Sequence, residues 1–220
     1  MAHANVAAGK FIGFVLVLIC LTPLVGCIGL VANLLNAAGG GLVPAAFTGL
    51  RDQKVAVVCV SNSEFGPTST STELSRRMNR LLKSHVKDIQ LVSHQEVADW
   101  IDSHNWDMVD FRAIGEGVGA ELVVAVDVDT LSLHESSTMY KGRADVHVVV
   151  YDMKSGREVF ANSPSQIVFP KTAGIWPTDI SETQFRKQFL DVVADRIARN
   201  FYPFDINDDY ARDAELLSKF

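Results

Sequence analysis

Asp127, Asp129, Asp145 and His147 are the residues whose types and spacing come nearest to chemistry in this chain. Each pair lies two residues apart, and residues two apart on a strand project from one face of a sheet. In a suitable register the two strands would present three carboxylates and an imidazole together. That set would bind a divalent cation or work as general acid and base. The competing reading is an exposed sheet face on which Lys141 and Arg143 balance the acids through cross-strand pairs. No distinctive ligand spacing runs through the set, so the exposed face is preferred and no metal is assigned. A metal- or ligand-dependent enzyme using this face is the alternative function.

The other candidates reduce to structure more readily. Gly115-Glu116-Gly117-Val118-Gly119 has the wording of a phosphate loop, but such loops follow a strand and open a helix. Here the glycines close a helix and lead into a strand, which suits a C-cap and tight packing. His85, His94, His104 and His134 are scattered, with no pair at zinc spacing. No catalytic motif and no cofactor are expected. Arg76, Arg77, Arg80 and Lys83, with Lys87 close by, would meet an anionic surface or lie on a solvated helix face. Trp176, Phe201, Tyr202 and Phe204 stand in irregular segments beside Pro177 and Pro203, where aromatics either cap the core or anchor a partner.

These residues need elements to hold them. Lys54 to Val60 is a nearly continuous valine-rich run, the pattern of a strand buried on both faces. Leu74, Met78, Leu81 and Leu82 follow at helical spacing. Ile89 to Val92 reads as a short strand, and Ser93-His94-Gln95-Glu96 as a capping box ahead of a helix that buries Val97, Trp100 and Ile101. Phe111, Ile114 and Val118 mark a further helix. Leu122 to Leu133 and Arg143 to Tyr151 read as strands that alternate over part of their length. Lys154-Ser155-Gly156 reads as the turn into Arg157 to Ala161. Gln184 to Phe201 is a last amphipathic helix. The fold class is α/β (α+β): a mixed β-sheet with amphipathic helices packed on it, in a single soluble domain over 51–204 followed by an acidic tail over 205–220.

The first fifty residues are different. No charged residue occurs between Lys10 and Arg51, and the apolar run from Phe11 closes on Leu24-Val25-Gly26-Cys27. Charge, apolar core, small residue and cysteine in that order have the layout of a cleavable secretory signal. The cysteine after the small residue makes it resemble a bacterial lipoprotein signal, whose lipobox reads Leu-small-Gly/Ala-Cys. The resemblance implies a signal peptide over 1–26, acylation of Cys27 and a lipidated, Gly/Ala-rich tether over 27–50. Several acyl chains hold stably where one does not. Ile28 after the cysteine implies the periplasmic face of the outer membrane in a host with two membranes. The alternative is a single-pass membrane protein spanning with residues 11–35. With Cys20 removed and Cys27 acylated, Cys59 is left alone as a small buried hydrophobe. The formal charge of −6 excludes a general nucleic-acid binder, which needs a basic footprint.

The soluble part carries a second resemblance. Lys54–Val60, Gly119-Ala120-Glu121-Leu122-Val123-Val124, and Val146–Val150 running on into Tyr151-Asp152-Met153-Lys154-Ser155-Gly156-Arg157-Glu158-Val159 resemble a group of envelope lipoproteins. The group includes the curli-secretion lipoprotein, the lipoprotein activator of a penicillin-binding protein and the amino-terminal domain of the Tol propeller protein. The likeness implies a non-enzymatic envelope protein that docks another envelope protein, as an assembly or regulatory factor, or that forms a homo-oligomer. Pore formation is not expected. A spanning β-strand needs about 9–11 alternating residues, and Ser61–Thr72 is too short and polar for a hairpin of them. Ser163–Thr178 carries Pro164, Pro170 and Pro177.

Overall fold

The valine run becomes β1, Lys54–Ser61, and Val55 to Cys59 are buried along it. The computed structural model describes residues 41–61, 70–104, 110–171, 174–208 and 214–215. Cys27, Cys20, the 11–35 run and the tether up to residue 40 lie outside the described residues, as does most of the acidic tail. The chain divides into two units, 1–42 and 43–220, and the six-stranded sheet and the described helices belong to the second.

β1 is central. It pairs in parallel with β2 (Gln90–Leu91) on one side and β3 (Leu122–Ser136) on the other. β3 turns into β4 (Met139–Asp152), its antiparallel neighbour. β5 (Arg157–Ala161) and β6 (Ser165–Phe169) both pair antiparallel to β4, one along Val149–Asp152 and the other along Gly142–Val146. The six strands thus form a mixed sheet. The parallel centre explains the continuous apolar run of β1, since strands buried on both faces do not alternate.

Four helices cover the sheet among the described residues: α1 (Thr70–His85), α2 (His94–His104), α3 (Phe111–Gly117) and α4 (Glu182–Ala198). α1 and α4 lie on one face, where Leu74, Met78, Leu82, Phe185, Phe189 and Val193 meet Val55, Val57, Val124 and Val126. α2 and α3 lie on the other, where Val97, Ile114 and Val118 meet Ala56, Val58 and Val123. Ser181 caps α4 through a full capping box with Gln184. Asp110 caps α3 by accepting from the amides of Arg112 and Ala113. Such caps contribute about 1 kcal/mol each.

The structure departs from the sequence expectations in several places. The packed unit begins before residue 51: Leu50 is fully buried, and the Phe47 ring lies 5.5 Å from that of Phe160. Ser165–Phe169 forms a strand that the pattern did not mark, because its flanking prolines and short apolar content resemble a loop. α4 stops at Ala198, three residues before Phe201. Arg77 is buried rather than part of the helix surface. Its Nε donates to Asp191 at 2.8 Å and its Nη1 to Glu73 at 3.2 Å, while Arg186 reaches the same Glu73 carboxylate at 3.0 Å. The group clasps α1 to α4.

Candidate functional site

The two strands carrying the Asp/His set do pair, but the register breaks inside it. Asp127 stands directly opposite His147, and a shift between Val128 and Thr130 then leaves Asp129 without a cross-strand partner and sets Asp145 opposite Thr130. Asp145 accepts from Thr130 Oγ1 at 2.5 Å and from Gln166 Nε2 at 3.0 Å. Three carboxylates and an imidazole therefore do not converge. Among the described residues, no group of three or more His, Cys, Asp or Glu side chains is placed to hold a metal ion. Lys141 and Arg143 do make cross-strand pairs, but with Glu135, at 3.5 Å and 2.7 Å, not with the aspartates.

The electrostatics separate the two aspartates. Bonds from Thr130 and then Gln166 hold the Asp145 carboxyl below its ordinary range. Partial burial pushes Asp127 up, the charge of Asp129 adds to this, and His147 opposes it. A carboxyl raised in the folded state opposes folding while it is ionised; the penalty is present at neutral pH and vanishes once both states are protonated. Asp127→Asn is accordingly expected to raise the melting temperature at neutral pH and to leave it unchanged well below the carboxylate range, as read by calorimetry. A lower melting temperature at neutral pH would show that the His147 contact outweighs the burial.

The glycine run is structural. It ends α3, and Gly119 has φ +62°. A Cβ at Gly115 would meet Met153 and Val123, and one at Gly117 would meet the Trp100 indole. A catalytic spacing that the sequence reading passed over, Ser84-x-x-Lys87, occurs where α1 ends. Ser84 Oγ donates to the Leu81 carbonyl at 2.9 Å, and Lys87 lies 3.8 Å from Asp88. The Ser84 hydroxyl is used within its own helix, Lys87 is exposed, and among the described residues no hydrogen bond links the two. Cys59 is 7% exposed, and burial pushes its thiol up to about 12, against a lowering bond with Ser75. The thiolate is the reactive form. Cys59 is therefore expected to resist iodoacetamide in the folded protein and to react at the rate of global unfolding; mass spectrometry of the native protein reads this, and rapid native alkylation would contradict it.

The four aromatic candidates split. Phe201 and Tyr202 are buried, Phe201 against Phe47 and Phe160 and Tyr202 stacked on His85 with centroids 4.3 Å apart. Both cap the core. Phe204 is partly buried, with the Arg199 guanidinium 4.8 Å from its ring centroid. With His85, Asp195, Arg199 and Pro203, Tyr202 and Phe204 line a cleft of about 360 Å³. Its cation is already matched, since Arg199 pairs with Asp195 at 2.8 Å.

Trp176 is different. It is 53% exposed, yet the chain beneath it is fixed: Ile175 exchanges two backbone hydrogen bonds with Tyr140, and the Asp179 amide donates to the Trp176 carbonyl at 2.9 Å. A large aromatic held out on an ordered turn has little conformational entropy left to lose on binding.

No family model matches the chain, and a search of the curated proteins also found no match. Solved structures do resemble it. A lipoprotein, GNA1162 from Neisseria meningitidis, is 12% identical with a TM-score of 0.43, over 66% of this chain and 97% of that one. The PelC dodecamer from Paraburkholderia phytofirmans is 12% identical with a TM-score of 0.42, over 73% and 95%. The C-terminal domain of LpoB from Salmonella enterica is 15% identical with a TM-score of 0.36, over 63% and 93%. Lipoproteins, the class that the sequence resemblance names, are thus among the solved structures to which the chain is similar.

Proposed function

We propose that this chain is a non-enzymatic, lipid-anchored protein of the bacterial cell envelope that docks another envelope protein as an assembly or regulatory factor. The observation that carries the reading is the closure of the apolar run on Leu24-Val25-Gly26-Cys27. Acyl chains on Cys27 attach the protein to the periplasmic face of the outer membrane, and the described domain is the part that meets the partner. The domain supports this role by what its side chains do. The aspartates are held in hydrogen bonds or apart from one another, Cys59 is buried, and the most exposed large aromatic among the described residues stands on an ordered turn. Among the described residues no helix is long and apolar enough to cross a membrane.

The test is the intact mass of the protein purified from membranes of its native host, beside a Cys27→Ala variant. A wild-type mass beginning at an acylated Cys27, absent from the variant, is the expected result. Retention of residues before Cys27 would overturn the anchor and replace it with a spanning segment. The docking half is read by affinity capture from detergent-solubilised membranes, where a partner at fixed stoichiometry is expected. Trp176→Ala is expected to lower its recovery about tenfold or more, the scale of an aromatic hot spot, with an unchanged melting temperature. Equal recovery would place the interface elsewhere.

A further inference from the structure

Arg76, Arg80 and Lys83 follow one another on α1 at intervals of four and three, which sets them on one stripe of the helix. Lys87 continues the sequence spacing in the turn after it, and all four side chains are exposed. The apolar stripe of Leu74, Met78 and Leu82 is buried, so these cations face away from the core. The acid in the helix, Glu73, is committed to Arg77 and Arg186. Among the described residues, the stripe's ion pair is the exposed contact of Lys87 with Asp88 at 3.8 Å. In a chain of formal charge −6, this is a local reversal of sign.

We infer that this stripe docks the domain on the anionic phospholipid headgroups of the bilayer that carries the chain, and so fixes the domain's orientation there. The inference rests on the acylated Cys27 of the proposed function, because a tether keeps the domain at high effective concentration over that surface. Charge complementarity supplies the rest. Each Lys or Arg near an anionic leaflet contributes roughly fivefold to surface partitioning, and the effect decays within a Debye length. The stripe carries no large apolar side chain, so it rests on the headgroups without inserting. An acidic protein face would complement the same charges, but no tether holds one in place.

The lipidated protein is reconstituted into vesicles of phosphatidylethanolamine with phosphatidylglycerol, and separately into phosphatidylcholine vesicles. Lysines are labelled with an amine-acylating reagent and read by peptide mass. Lys83 and Lys87 are expected to label at least roughly fivefold more slowly on the anionic vesicles, with the difference removed by high salt. The exposed Lys154, in the turn before β5, serves as the control with an unchanged rate. The double substitution Arg76→Gln, Arg80→Gln changes only exposed side chains and is expected to reduce the protection. Equal labelling on both vesicles overturns the inference. So does protection seen only in native membranes, which would assign the stripe to a protein. The intact mass of the same sample reports acylation independently, so loss of the anchor and failure of the stripe are told apart.

Discussion

Glu73→Ala is expected to lower the unfolding free energy by about 3–5 kcal/mol, the range for removing one partner from a buried ion pair. The side chains of Glu73, Arg77 and Arg186 are 14%, 8% and 12% exposed. One carboxylate therefore serves two guanidinium groups that have little water. Without it, Arg77 keeps Asp191 and the Glu73 carbonyl, while Arg186 keeps Thr70, and a net positive charge stays between α1 and α4. Asp191 offers an internal comparison because its side chain is 43% exposed. Asp191→Ala is expected to cost no more than about 1 kcal/mol, in the manner of a surface pair. Urea unfolding of both variants distinguishes the roles. Equal losses would mean that the clasp is held by packing and that its charges contribute little.

Phe185→Ala is the other change with a large expected effect, also about 3–5 kcal/mol. Phe185 is fully buried and lies at the middle of a stack of rings: Tyr140 at 5.3 Å, Phe169 at 6.0 Å and Phe189 at 6.4 Å between centroids. These rings come from α4, β4 and β6, so the cavity would open where three elements meet. Collapse into it is restricted because Gly142 already admits the Phe189 ring where a Cβ would collide. At 2–4 °C per kcal/mol for a domain of this size, the melting temperature is expected to fall by roughly 10 °C. Phe185→Leu keeps most of the volume and is expected to lose less than half as much. A loss of under about 1 kcal/mol in the alanine variant would show that the stack repacks.

Local pattern carried much of the fold. The valine run of β1, the leucine spacing of α1, the phenylalanine face of α4 and the glycine turn before β5 were all legible, because each is a statement about neighbours a few residues apart. Arg77 was not legible. Its place on the helix says only that it is near Leu74 and Met78, and the carboxylate of Asp191 that makes its burial tolerable lies 114 residues away. The shift that breaks up the Asp/His set was hidden for a related reason. Alternation predicts which face a residue takes as long as the ladder is regular, and one irregularity near Asp129 undoes it. The aromatic candidates could not be sorted from sequence, since capping a core and greeting a partner ask for the same residue types. Only burial separates Phe201 and Tyr202 from Trp176.

The placement of β1 between two parallel partners also governs when the domain can exist. Its first residue is bonded to Glu121, 67 residues further along the chain, and β3 in turn is incomplete without β4. Until the chain beyond Val128 has emerged, β1 has its short β2 partner and little else to pair with. Loop closure of that length must come before the contacts that reward it, which puts folding among the slower, topology-limited classes. Under the envelope location proposed above, late folding would keep the chain extended enough to be threaded across a membrane before it acquires its shape.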